Sequence, residues 1–99
     1  MALKGQTKER TVSKTKEPKR YNVIMLNDDF TTMEFVVSIL IEIFHKDSLT
    51  AEALMLNVHK NGKAVVGTYS YDIAVTKTEA ALSRARENSF PFRMIVEEA

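Results

Sequence analysis

From Tyr21 the chain reads YNVIML, with Tyr21, Val23 and Met25 on one side of an extended backbone and Ile24 and Leu26 on the other. Apolar residues on both faces predict a central strand covered on both sides. Asn27-Asp28-Asp29-Phe30-Thr31 follows, a run of turn formers whose last member begins a capping box, Thr31-x-x-Glu34, that opens a helix near Thr32 to His45. On that helix Glu34, Ser38, Glu42 and His45 share one stripe, which should face water. Met33, Val36, Val37, Leu40, Ile43 and Phe44 make the broad apolar face opposite. A second helix, about Ser48 to Lys60, stops at Asn61-Gly62. Leu49, Ala53 and Leu56 lie on one face of it and Met55, Val58 and His59 on another, so it is either sandwiched or offers an apolar strip to a ligand.

Lys63 to Ser70, KAVVGTYS, reads as a β-branched strand, and Ser70-Tyr71-Asp72 starts a third helix with the stripe Ala74, Thr78, Ala81, Leu82 and Ala85. Small residues there allow close packing. After Asn88 and Pro91, Phe92 to Glu97 partly alternates and reads as a last strand. The order β-α-α-β-α-β predicts an α+β fold over residues 21–99, a three-stranded antiparallel sheet packed against three helices.

With 99 residues, 44% hydrophobic and 27% charged, the chain has material for one core. A cleft between two lobes is beyond it; a binding groove on one face is not. Having no Cys excludes disulfides, thiol nucleophiles and Cys-ligated zinc. The first twenty residues hold no apolar stretch of signal-peptide length, and no later stretch approaches the roughly 18 apolar residues of a membrane span, so a cytoplasmic address is expected, with no membrane partner.

Residues 1–20 carry seven of the 14 Lys and Arg against Glu9 and Glu17, a net charge of +5. With almost no large apolar side chain, this segment cannot offset its ordering entropy by burial, and a disordered basic tail is expected up to about Pro18. Such a tail suits nucleic acid or anionic lipid, and equally a solubilising or partner-seeking extension; interleaved aromatics, usual in nucleic-acid binders, are missing.

Asn27-Asp28-Asp29 places three acceptor side chains where a strand hands over to a helix. One acidic residue there is an ordinary cap. Three exceed what one cap needs, and with His59 brought close they could hold a cation, either a metal ion or the ammonium of a ligand. Neither an EF-hand-like loop nor a His-x-x-x-His pair is present, and no metal is expected. A histidine such as His59 on an apolar helix is otherwise a packed residue, and His45 lies in the solvent stripe. Met33, Val36, Met55 and Val58 sit at helical spacing normal for a core, although methionine also makes a pliable pocket lining. There is no Ser-His-Asp pattern, no phosphate-cradling loop among three glycines and no separated acid-base pair, so neither an enzyme nor a cofactor is expected.

NDDFTTMEFV (Asn27 to Val36), LMLNVHKNGKA (Leu54 to Ala64) and YSYDIAVTK (Tyr69 to Lys77) resemble the ClpS family of adaptors, and the likeness spans about Tyr21 to Glu98. The resemblance implies the α+β fold read above and a groove between the first two helices that binds the first residue of an N-degron substrate, usually Leu, Phe, Tyr or Trp. It implies recognition of the substrate α-amino group by Asn27, Asp28 and His59, with Asp29 assisting. Thr31, Met33, Val36, Met55, Val58 and Phe92 would line the side-chain pocket. Asp72 and Lys77 would dock on the N-terminal domain of a ClpA/ClpC-type AAA+ unfoldase, the tail would act in delivery, and the adaptor would be a monomer. Three positions depart from the family pattern: Thr32 replaces a frequent proline, Val75 a usual acidic residue, and Phe92 a common leucine. They bear on pocket size and docking strength. The alternative expectation is a small nucleic-acid-binding α+β protein that uses its basic tail.

Overall fold

Tyr21–Leu26 forms β1, the middle strand of a three-stranded sheet, in a computed structural model that describes residues 18–99. β2 (Lys63–Tyr69) and β3 (Arg93–Glu98) flank it, both antiparallel, with Met25 opposite Ala64 on one side and Met94 on the other. Val23 and Met25 are fully buried in the main core. Ile24 points to the other face, and there the expectation of two-sided cover needs correction. Its neighbours Val65 and Ile95 remain 49% and 39% exposed, so the helices cover one face of the sheet. Ile24 is buried because a central-strand side chain is shielded by its two cross-strand partners. Residues 1–17, which hold most of the expected tail, lie outside the described residues. Beyond them, the Lys19 ammonium lies 3.4 Å from Glu98, and the Arg20 guanidinium donates to the Thr68 carbonyl at 3.0 Å.

The helices are α1 (Met33–Glu42), α2 (Ser48–Asn61) and α3 (Tyr71–Glu87). Thr32, not Thr31, caps α1: its hydroxyl accepts from the Phe35 N–H at 3.1 Å, whereas the Thr31 hydroxyl donates to Asp28. α1 ends three residues before His45, because its last turn widens. The Phe44 N–H reaches back to the Ile39 carbonyl at 3.4 Å and the Lys46 N–H to that of Leu40 at 3.0 Å, with His45 at a positive φ of 59°. The buried face is also turned from the one expected. Phe35 and Ile39 join Val36, Leu40, Ile43 and Phe44 in the core, while Met33 is 51% exposed. Phe90 and Phe92 cause the rotation, meeting the Phe35 ring edge-on with centroids 4.9 and 6.0 Å away.

α2 starts at Asp47, whose carboxylate accepts from the Thr50 N–H at 2.7 Å, and ends at Gly62, where φ is 89°. It is not sandwiched: only Ala51 and Val58 are buried, and Leu49 and Leu56 stand 79% and 57% exposed.

On α3 the expected small-residue stripe is buried as Ala74, Thr78, Ala81 and Ala85, which lets this helix lie close on the sheet. The Thr78 hydroxyl has no hydrogen-bond partner there. An unpartnered buried hydroxyl costs free energy that an isosteric methyl does not, so Thr78→Val should raise stability by about 1 kcal/mol, read as a higher denaturation midpoint with an unchanged m value.

Candidate functional site

The loop between β1 and α1 is built around one carboxylate. Asp28 Oδ1 accepts from the Phe30 N–H at 2.8 Å and the Thr31 N–H at 2.7 Å, and Oδ2 accepts from the Thr31 hydroxyl at 2.8 Å. A short acceptor bonding backbone two and three residues ahead is what makes Asp favourable in turns. Partial burial pushes this carboxyl up, but it is outweighed by the bonds from Thr31 and Phe30 and by the charge of Arg93, which hold it below the usual carboxylate range. Asp28 is therefore an anion fixed in place by the loop it organises.

A second backbone contact joins this loop to the end of α2. The Asn27 N–H donates to the Gly62 carbonyl at 2.9 Å, and the Gly62 N–H donates to the Val58 carbonyl at 2.8 Å. The left-handed conformation at Gly62 turns its carbonyl toward the loop, and Gly is the residue that adopts this φ at least cost. His59, one turn before Gly62, is thereby carried to the Asn27–Asp29 segment.

Asn27, Asp28, Asp29, Thr31, Met33, Val36, Met55, Val58, His59 and Phe92 all line one cavity of about 180 Å³. A dry cavity of about 150 Å³ holds a benzene-sized group, so this one matches a single large side chain. Leu26 also lines it, a residue that the sequence reading omitted. Its signal was the alternation of β1: Leu26 is the last strand residue before the acceptors. Among the described residues no three His, Asp or Glu side chains are grouped so as to hold a metal ion.

Asp72 and Lys77 lie away from the cavity, on α3. Asp72 is exposed in the first turn. Lys77 is half-buried: its ammonium donates to the Ile43 carbonyl at 2.8 Å, at the end of α1, and lies 5.9 Å from the Phe44 ring centroid and 5.8 Å from that of Tyr69. Those contacts close the C-terminus of α1 with a cation, a favourable arrangement for the helix dipole.

The fold and cavity define a small α+β binding module with acceptors and an apolar lining in the same site. Comparison with known proteins agrees. The family described as ATP-dependent Clp protease adaptor protein ClpS matches residues 16–95. The ATP-dependent Clp protease adapter protein ClpS of Treponema denticola is 52% identical over 99 residues, covering 98% of each chain. That of Acetivibrio thermocellus is 48% identical over 97 residues, again covering 98% of each. Agrobacterium tumefaciens ClpS2, solved bound to L-phenylalaninamide, superposes with a TM-score of 0.81 at 37% identity, covering 84% of this chain and 100% of that one. The chain belongs to the ClpS family, a family of adaptor proteins of the Clp protease.

Proposed function

We propose that the cavity captures the first residue of a protein chain and that the adaptor delivers the captured chain to a Clp AAA+ unfoldase for degradation. The α-ammonium is held by Asn27, Asp28 and His59, with Asp29 assisting. A bulky side chain, Leu, Phe, Tyr or Trp, fills the space between Thr31, Met33, Val36, Met55, Val58 and Phe92. The observation that carries this reading is one cavity, sized for one side chain, lined by both sets of residues. A ligand must then supply a free amine and a large apolar group together, because the acceptors and the apolar lining belong to one cavity. L-phenylalaninamide, the molecule bound to the Agrobacterium relative, has both. A titration with peptides differing only at residue 1 tests the proposal: Leu, Phe, Tyr and Trp bind, and Asp or Lys does not. Equal affinity across the set would end it.

Docking on the unfoldase is assigned to α3, with Asp72 as the exposed contact. Lys77 contributes there only as far as its half-buried ammonium remains reachable. Delivery is assigned to the basic tail.

Met33 sets the selectivity of the cavity mouth. It is half-exposed at the first position of α1, where its long side chain crowds a ligand branched at Cβ and tolerates one branched at Cγ. Met33→Ala should raise affinity for Ile and Val peptides about tenfold and change that for Leu by less than about threefold, measured by fluorescence anisotropy. Unchanged rejection of Ile and Val would transfer the role to another wall residue such as Phe92.

A further inference from the structure

We propose that the open edge of β3, with the pocket beside it at the last turn of α3, docks an extended segment of a partner protein in which an apolar side chain is flanked by carboxylates. Among the described residues β3 pairs with β1 alone, so its other side is an edge of the sheet. The Ala99 N–H donates to the Arg20 carbonyl at 2.9 Å, one step beyond the Glu98–Tyr21 pair of the ladder. Antiparallel ladders alternate, so Arg93, Ile95 and Glu97 also turn their backbone groups toward β1, while Met94, Val96 and Glu98 turn theirs outward. Such a row of unpaired N–H and C=O groups is a template for another extended chain.

The pocket beside that edge measures about 290 Å³ and is walled by Leu82 and Phe90 and by Met94 and Ile95 of β3 itself. It has room for a large apolar side chain. Leu26 and Phe92 separate it from the first-residue cavity, which they also line. From Asp72 to Arg86 the helix rises about 21 Å, so this surface is also distinct from the one assigned to Asp72.

Charge names the occupant. Every ionisable side chain lining the pocket is cationic: Arg86 and Arg93, both exposed, and among the described residues neither has an ion-pair partner. Guanidinium groups bind carboxylates through paired, charge-assisted hydrogen bonds. Residues 1–20 of this chain, with a net charge of +5, carry the wrong sign to fill the site. A second copy paired through β3 would meet along an edge about 20 Å long, short for the roughly 1,200 Å² that a stable dimer buries but enough for one peptide strand.

N-acetylated hexapeptides, which bring no free amine to the cavity, are titrated into the full chain and followed by backbone amide NMR. The probe is Ser-Asp-Leu-Asp-Leu-Ser, compared with one peptide having Lys for both Asp and another having Ser for both Leu. The probe should shift the Met94 to Glu98 amides and bind about tenfold tighter than either counterpart. Arg86→Glu should weaken it about tenfold. Val96→Pro, which removes an outward N–H and no bond to β1, should weaken it by a similar factor of about ten. Arg93 is left in place because its charge acts on Asp28. Equal binding of the acidic and basic peptides, or probe affinity unchanged by Arg86→Glu, would overturn the assignment, whether or not Val96→Pro folds. So would self-association of the free chain that Val96→Pro abolishes, which would give the edge to a second copy.

Discussion

Replacing Asp28 with Ala lowers the affinity for a peptide that begins with Leu by about 100-fold or more, the largest effect expected of any single substitution in the site. Two losses combine. The substrate ammonium is deprived of its fixed anion, and the Phe30 and Thr31 N–H groups with the Thr31 hydroxyl lose their common acceptor. Asp28→Asn separates the two, since an amide oxygen still accepts from the backbone but carries no charge. It should retain the loop and most of the stability and still lose about tenfold in affinity. Stability gives an independent reading. A carboxyl held lower in the folded chain than in the unfolded one stabilises the fold above its unfolded pKa, about 3.9, and that contribution is lost as pH falls through the lower folded value. Denaturant midpoints of the wild type should therefore decline on acidification below about pH 4 more steeply than those of Asp28→Ala. Parallel curves would remove Asp28 from the loop's stabilising bonds.

Replacing His59 with Ala should lower the affinity for a peptide that begins with Leu roughly tenfold at neutral pH. An ammonium only donates, so His59 must present an acceptor nitrogen; a protonated imidazole has two donors and a like charge. Asp28, held below the usual carboxylate range, keeps its charge at neutral and mildly acidic pH. At the alkaline end the ligand amine, with a free pKa of about 7.7–8.0, loses its proton and its attraction to Asp28. Affinity should therefore fall above about pH 8 in the wild type and in His59→Ala alike. An unchanged affinity in His59→Ala at neutral pH would remove His59 from the site.

The composition of the site was legible in the sequence because its acceptors are concentrated in Asn27-Asp28-Asp29, more than a helix cap requires. What joins them to His59 was not, since the connection is a backbone bond from Asn27 to Gly62 that no side-chain pattern encodes. Assigning the apolar lining to a pocket rather than to the core came from the family resemblance; periodicity alone treats Met33 and Val36 alike, although one is half-exposed and the other buried.

The element order and the central place of β1 followed from alternation and breakers, and they hold. Alternation cannot tell a face covered by helices from one shielded by cross-strand neighbours, hence the misreading of Ile24. Thr31 and Thr32 are equally able caps in isolation; Asp28 decides between them by engaging Thr31. The apolar arc of α1 was displaced because Phe90 and Phe92, more than fifty residues downstream, determine that Phe35 belongs inside.

The central claim, that the cavity reads a free α-amine together with the side chain that bears it, is tested most directly by backbone amide NMR of the full chain. One leucine-initiated peptide would be titrated with its amine free and then acetylated. The Phe30 and Thr31 amides report on the Asp28 carboxylate they donate to, and the Val58, His59 and Gly62 amides report on the end of α2. With the free amine, shifts should concentrate at Asn27 to Thr31, at Met55 to Gly62 and at Phe92, and the acetylated peptide should leave them unmoved. Equal shifts with both peptides, or shifts centred on α3 or on the Ile24, Val65 and Ile95 face of the sheet, would contradict the account.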